Sequence, residues 1–439
     1  MGLRPIHLGA LIVASMIGSG VFTTSGFALA DLGSPHAVLL AWALGAVHAA
    51  LGAASYGWLA ARVPESGGEY VILQRTMHPA AAYVVGWVSL LAGFTAPIAA
   101  AAHGLEAYLQ REGALWIGAT AIVGSAALHG IRRDLGAGLQ TAAVALKLLL
   151  LFGFLALGLG SLDHALLAAP TEARWEKLGA TLVWISFSFS GWNAAIYLAG
   201  ETRGKPQHLA RWSVAAVVVV GALYLGLNAV FVFAAPPSEL AGRPDIGVAA
   251  ASALGGSALA RALSLVVALA LLTSVSSMMM AGPRVLWKMG RDGALPRVLG
   301  RGEHTPHVAI AVQGVLALVV FFVSTLRELL GYIGLTLSVS SALTVTALLL
   351  EYRRGRIVPR TRALLVIPVA YIMATLLMAA WLAWLEPMQA LASAGTLGMG
   401  LLVYGAQKRR DRSPDERPPD AVDSNSSAPA SPTRTLPRR

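Results

Sequence analysis

Two stretches of this chain combine residue types that could do chemistry. Ile17-Gly18-Ser19-Gly20-Val21-Phe22 sets two glycines around a serine inside an apolar run. Phe187-Ser188-Phe189-Ser190-Gly191-Trp192-Asn193 clusters small polar residues and a glycine inside another. Each glycine weakens a helix interior by roughly 0.5–1 kcal/mol, so each stretch is a place where a helix can lose its hydrogen bonds. An opened turn frees N–H groups at the start of one half-helix, where the dipole favours an anion such as a carboxylate. It also frees carbonyls at the end of the other half, and these suit an ammonium. A zwitterionic α-amino acid matches both. Taken alone, Gly-Ser-Gly also reads as a small-residue packing seam between helices; a dinucleotide site fails, because no strand precedes the glycines.

Lys147 is the third candidate. It sits in Ala145-Leu146-Lys147-Leu148-Leu149, about 15 Å from a helix start near residue 137, too deep to snorkel. A charge there costs at least ~2.5–3.5 kcal/mol, which makes an intramembrane lysine a functional candidate by default. It offers a fixed cation, a site that binds and releases a coupling proton, or a structural partner for backbone carbonyls.

The elements that hold these residues are membrane helices. The chain of 439 residues is 56% hydrophobic and only 13% charged, about half the charge of a soluble domain, with a mean hydropathy of +0.65. Uncharged stretches run over 5–30, 32–61, 76–105, 113–131, 178–200, 212–238, 304–326, 329–350, 363–385 and 387–407; 135–162 holds only Lys147, and 246–283 only Arg261. Each is long enough for a helix to cross a hydrocarbon core of roughly 30 Å. The expectation is an all-α polytopic membrane protein with twelve transmembrane helices. Ser19 then lies about 20 Å, and Ser190 about 16 Å, from their helix starts, both near the midplane. Interruptions in the first and sixth spans are five apart, as a 5+5 inverted repeat requires, and paired interruptions point to a transporter's binding site.

The net charge of +11 reflects topology rather than nucleic-acid binding. With a cytoplasmic N-terminus, inside loops hold 18 arginines and lysines against 6 outside, the positive-inside bias. Zero cysteines exclude disulfides and cysteine metal sites. The first 30 residues resemble a signal peptide, but the apolar run is too long and eleven spans follow, so retention is expected. The membrane body is 1–407; 408–439, rich in Pro, Ser and Arg, is a disordered cytoplasmic tail. Residues 284–303 look like a basic interfacial helix. His304 and His307 lack a carboxylate cluster, and Met278, Met279 and Met280 read as packing filler. His103 and Glu106 are expected to line a vestibule or face solvent.

In order and spacing, further segments carry a resemblance: Pro64-Glu65-Ser66-Gly67-Gly68-Glu69-Tyr70 after helix 2, Glu201 after helix 6, and Pro283-Arg284 through Arg291-Asp292-Gly293 to Leu295-Pro296 and Thr305-Pro306. With the two interrupted helices, they resemble the amino acid–polyamine–organocation superfamily, near the bacterial amino acid permeases and light-subunit-type exchangers. The resemblance implies a LeuT-like fold, with repeat one over about 5–162, repeat two over about 178–350, and peripheral helices over 363–407. It implies that Ser19 and Gly20, beside Gly18 in the same substrate site, bring N–H groups to the substrate carboxylate. Ile17, Phe187 and Ser190, beside Gly191, would offer carbonyls to the ammonium, with Phe187 as an aromatic gate. Lys147 matches a lysine of sodium-independent members, implying proton coupling or exchange. Two departures concern the intracellular gate's ion pairing: Ser55-Tyr56-Gly57-Trp58 lacks an acid, and Glu201-Thr202-Arg203-Gly204-Lys205-Pro206 lacks the usual acidic pair and Asn-Pro.

The reading is therefore a non-enzymatic permease of small neutral L-amino acids in the inner membrane, with both termini cytoplasmic, partners being an amino acid, protons and the lipid bilayer, without cofactor, metal or nucleic acid. Ala96, Ala99 and Ala100 of helix 3 and Ser274, Ser276 and Ser277 of helix 8 are offered as specificity positions. An exporter or transceptor on the same fold is the nearer rival. A polytopic membrane enzyme would need acid–base or metal ligands clustered at one membrane face.

Overall fold

In lipid, a long uncharged segment can satisfy its backbone only by forming helix, and this chain does so throughout. Of its 439 residues, the computed structural model describes 9, 12–13, 15–65, 67–110, 113–131, 134–162, 167, 171–197, 208–302, 306–356 and 365–410. No strand occurs among the described residues.

The helices are α1 (Gly20–Leu32), α2 (Pro35–Arg62), α3 (Gly68–Thr76), α4 (Pro79–Tyr108), α5 (Trp116–Ile131), α6 (Asp134–Gly160) and α7 (Leu178–Ser188). Then follow α8 (Ala194–Tyr197), α9 (His208–Phe233), α10 (Ile246–Arg291), α11 (His307–Val323), α12 (Leu326–Arg353), α13 (Val366–Leu385) and α14 (Pro387–Arg410). Among the described residues, six helices are long and apolar enough to cross a membrane: α2, α4, α9 from Leu209, α10, α12 and α13. Of the twelve expected spans, the first and sixth do not join them, each being broken in its middle, and neither do 113–131, 135–162, 304–326 and 387–407.

Local signals set the boundaries. Ser34 and Pro35 start α2, with the Ser34 hydroxyl accepting from Ala37 N. Thr325 and Glu328 close a reciprocal capping box on α12. Leu149 (70% exposed), Leu157 (63%) and Leu402 (70%) face outward, as lipid contact requires.

Three expectations are corrected. The stretch 246–283 is not one straight span: at Gly255 and Gly256 (φ +66°) the backbone leaves helical geometry, setting a short leading helix apart. Residues 284–291, expected in an interfacial helix, continue α10 through Pro283 and are followed by a short 3-10 turn, Arg297–Gly300. Proline inside a membrane helix is tolerated when neighbours re-satisfy the freed groups. At the C-terminal end, residues 408–410, expected in the tail, form the last turn of α14; 411–439 lie outside the described residues.

Candidate functional site

The first helix ends at Met16, and Ile17, Gly18 and Ser19 are not helical before α1 begins at Gly20. Opening the turn exposes carbonyls, and the protein supplies a donor for three of them. Met16 O accepts from the Tyr224 hydroxyl at 2.6 Å and Ile17 O from Lys147 Nζ at 2.6 Å. Ser19 O accepts from Thr23 Oγ1 at 3.1 Å and from Phe22 N. The donor side differs: neither Ser19 N–H nor Gly20 N–H donates to a backbone carbonyl among the described residues. Both point from the start of α1, where the helix dipole favours negative charge.

The second break follows α7. Residues 189–193 form turns between Ser188 and α8. Phe189 N donates to Ile185 O, Ser190 N to Phe187 O, and Gly191 takes φ +113°, a conformation that favours glycine. Phe189 is wedged between Trp42 of α2 and Tyr224 of α9, with ring centroids 5.8 and 5.1 Å away. Tyr224 thus holds both breaks, its ring on one and its hydroxyl on the other.

The two breaks touch each other. A Cβ on Gly20 would lie 2.5 Å from Ser188 Cα, and one on Gly191 would lie 2.6 Å from Ser15 O. The hydroxyls of Thr24 and Ser188 hydrogen-bond at 3.0 Å. The structure therefore gathers Ile17, Gly18, Ser19, Gly20, Phe187, Ser190, Gly191 and Lys147 around one junction between two opened helices. Lys147 is 3% exposed. Its ammonium takes one lone pair of the Ile17 carbonyl that the resemblance assigned to a substrate ammonium, so the lysine's structural and functional readings converge on the break.

Polar clamps close both ends. On one side, Arg327 of α12 pairs with Asp31 of α1 at 2.9 Å, and its guanidinium lies 4.9 Å from the Trp184 ring of α7. On the arginine-rich side, the buried Glu351 of α12 meets Arg62 at 3.2 Å and both Arg354 and Arg356 at 3.3 Å. Ion pairing thus exists at this end without the acidic residues the sequence comparison looked for in helix 2. Glu201 lies outside the described residues.

Other expectations move. Ala96, Ala99 and Ala100 are buried. Ser274 and Ser277 bond carbonyls of their own helix, and Ser276 hydrogen-bonds His129 of α5. Glu106 does not line a vestibule: it is 1% exposed and accepts from Gly118 N at 3.0 Å, capping the start of α5. The His103 ring lies tilted against Phe321, with centroids 4.4 Å apart. The described residues hold no group of three or more His, Cys, Asp or Glu fit for a metal. Tyr224 and Glu351 escaped sequence reasoning; a tyrosine in an apolar span and a glutamate at a helix end carry no local signal.

Comparison with known proteins gives a consistent result. A sequence model described as amino acid permease matches residues 3–397. The Serine/threonine exchanger SteT of Bacillus subtilis (strain 168) is 25% identical over 327 residues, covering 72% of this chain and 75% of that protein. The b(0,+)-type amino acid transporter 1 of Mus musculus is 23% identical over 393 residues, 83% of this chain and 79% of its own. The Large neutral amino acids transporter small subunit 2 of the same species is 22% identical over 420 residues, 90% and 78% respectively.

Proposed function

This chain belongs to the amino acid permease family, and we propose that it moves a small neutral L-amino acid by alternating access, without sodium. The observation that carries the reading is the junction itself: two helices open against each other, with N–H groups at Ser19 and Gly20 that donate to no backbone carbonyl among the described residues, and with the Met16, Ile17 and Ser19 carbonyls of the first break already given donors. A carboxylate fits the free N–H groups. The substrate's ammonium is left the Ser190 carbonyl and the second lone pair of the Phe187 carbonyl, whose first takes Ser190 N–H.

Three supports refine this. The Lys147 ammonium stands on the Ile17 carbonyl, supplying from the protein the positive charge that a coupling cation would otherwise bring; this favours sodium independence. Neutral substrates follow from the charge balance: Glu69, the carboxylate nearest the second break, already accepts from three protein donors. Twelve spans in a LeuT-like inverted repeat, in an inner membrane with cytoplasmic termini, give the arginine-rich end its place inside. Exchange is the mode we expect, since the Bacillus subtilis relative is an exchanger by name, with proton symport as the alternative.

Purified protein in liposomes tests the reading. Labelled alanine, serine or leucine should enter sodium-free vesicles, faster with unlabelled substrate inside. Excess neutral amino acid should compete, whereas arginine and the corresponding amino alcohol, which lacks the carboxylate, should not. Better competition by arginine, or uptake that needs sodium, would refute it.

A further inference from the structure

Glu69 is a buried carboxylate without a cationic partner. It is 7% exposed, and among the described residues no arginine, lysine or histidine lies within ion-pair distance of it. Three neutral donors hold it instead. Tyr197 OH donates to Oε2 at 2.6 Å, Asn193 Nδ2 to Oε1 at 3.1 Å and Tyr56 OH to Oε1 at 3.4 Å. The donors come from the last residue of the second break, from α8 just beyond it, and from α2.

The local sequence is shaped for this contact. Gly67 and Gly68 both take positive φ, +143° and +67°, turning the chain sharply into α3. A Cβ on Gly68 would lie 2.3 Å from the Tyr197 ring, so only a glycine lets the loop press against that ring and deliver the next side chain to its hydroxyl. The contact stands on the arginine-rich side, where Arg354 donates to Thr76 O at the end of α3. It is separate from the Glu351 cluster, which ties α2 to α12 and touches neither Asn193 nor Tyr197.

A buried charge held only by neutral donors cannot lose them cheaply. If the segment after the second break swings away from α2 and α3, the carboxylate stays behind with two of its three donors gone. We propose that Glu69 is the latch of the broken helix: a positioning residue that holds residues 193–197 closed against α2 and α3, and whose release opens the arginine-rich end of the transport path. This deepens the transport reading and rests on it for its purpose, though not for its test.

The chain has no cysteine, so a single cysteine reports opening without background. Ile196 is 1% exposed beside the latch. Ile196→Cys in inside-out vesicles should react slowly with a membrane-impermeant maleimide. Adding Tyr197→Phe or Glu69→Ala should raise the labelling rate about tenfold, the scale of one lost hydrogen bond to a charged group; Glu69→Gln, which keeps shape and polarity, should fall between. In the cysteine-free protein, the same variants should change maximal exchange rate while leaving the substrate KM within twofold, a split that general unfolding would not give. If Glu69→Ala fails to purify as a single species, Tyr197→Phe, which removes one hydroxyl, decides alone. Labelling within twofold of the parent in both Tyr197→Phe and Glu69→Gln overturns the latch. Absence of uptake by the unsubstituted protein would instead count against the transport reading and leave the labelling result standing.

Discussion

Lys147→Met is the sharpest test of what holds the first break open. Methionine keeps the lysine's unbranched shape, one bond shorter, but brings neither charge nor donor. Burying a lysine charge at this depth costs ~2.5–3.5 kcal/mol, and the substitution removes that cost. Against this, the Ile17 carbonyl loses its 2.6 Å donor, and an orphaned buried acceptor costs about 1–3 kcal/mol. The two nearly cancel, so the variant should fold, with a melting temperature within a few degrees of the parent. Transport should not survive in the same way. The ammonium fixes the carbonyl at the end of the first half-helix, and a charge-assisted bond is roughly twice as strong as a neutral one. Losing it should lower the exchange rate tenfold or more. Lys147→Gln restores a neutral donor one bond shorter and should recover little. Uptake of labelled alanine or leucine into liposomes across a range of pH reads both variants. Parental rate and pH dependence in Lys147→Gln, or parental rate in Lys147→Met, would refute the role given to the charge.

Two further outcomes follow from the junction and its outer clamp. Gly20→Ala places a methyl 2.5 Å from Ser188 Cα, and Gly191→Ala strains a residue at φ +113° beside Ser15 O; each should lower thermal stability by about 1–3 kcal/mol and abolish uptake, as followed by a melting curve and a transport assay on the same preparation. Asp31→Asn removes the partner of Arg327, a guanidinium that is 41% exposed, so stability should change by less than about 1 kcal/mol. Accessibility of a cysteine at Phe27, beneath that arginine, to an external impermeant maleimide should nonetheless rise several-fold, and unchanged labelling would remove the pair from the gate.

Both breaks were legible because glycine and serine stand out inside apolar runs, and their pairing in the first and sixth spans favoured a loss of helix over a packing seam. The rest was hidden by the same logic. Spans were bounded by charge, so Asp31, Glu69 and Glu351 read as loop markers facing water, whereas packing buries Glu69 and Glu351 and pairs Asp31 with an arginine 296 positions away. The opening at Gly255–Gly256 is followed by Ser257, but it lies near the start of its uncharged stretch rather than at its middle and passed as ordinary span. The same span was ended at Pro283 because Arg284 is the next charge, yet α10 continues through that proline to Arg291. The π-helical segment Ser89–Thr95 within α4 leaves no trace in residue type at all, since one extra residue per turn changes register rather than composition. Glu106 was misread for want of a partner in view: the N–H it accepts from belongs to another helix.

An opened helix exposes acceptors and donors in equal number, and this protein treats them unequally. Tyr224, Lys147 and Thr23 close the carbonyls of the first break from three directions, two of them from other helices, while the N–H groups at Ser19 and Gly20 are left unused by the backbone. A break that served only to let helices pack would have its donors and acceptors satisfied alike, because an unmet buried group of either kind costs about the same. On the transport reading proposed above, the imbalance leaves those two N–H groups to a substrate carboxylate. On the same reading, a lysine rather than a neutral donor on the Ile17 carbonyl adds positive charge near the start of α1 without competing for the N–H groups at Ser19 and Gly20.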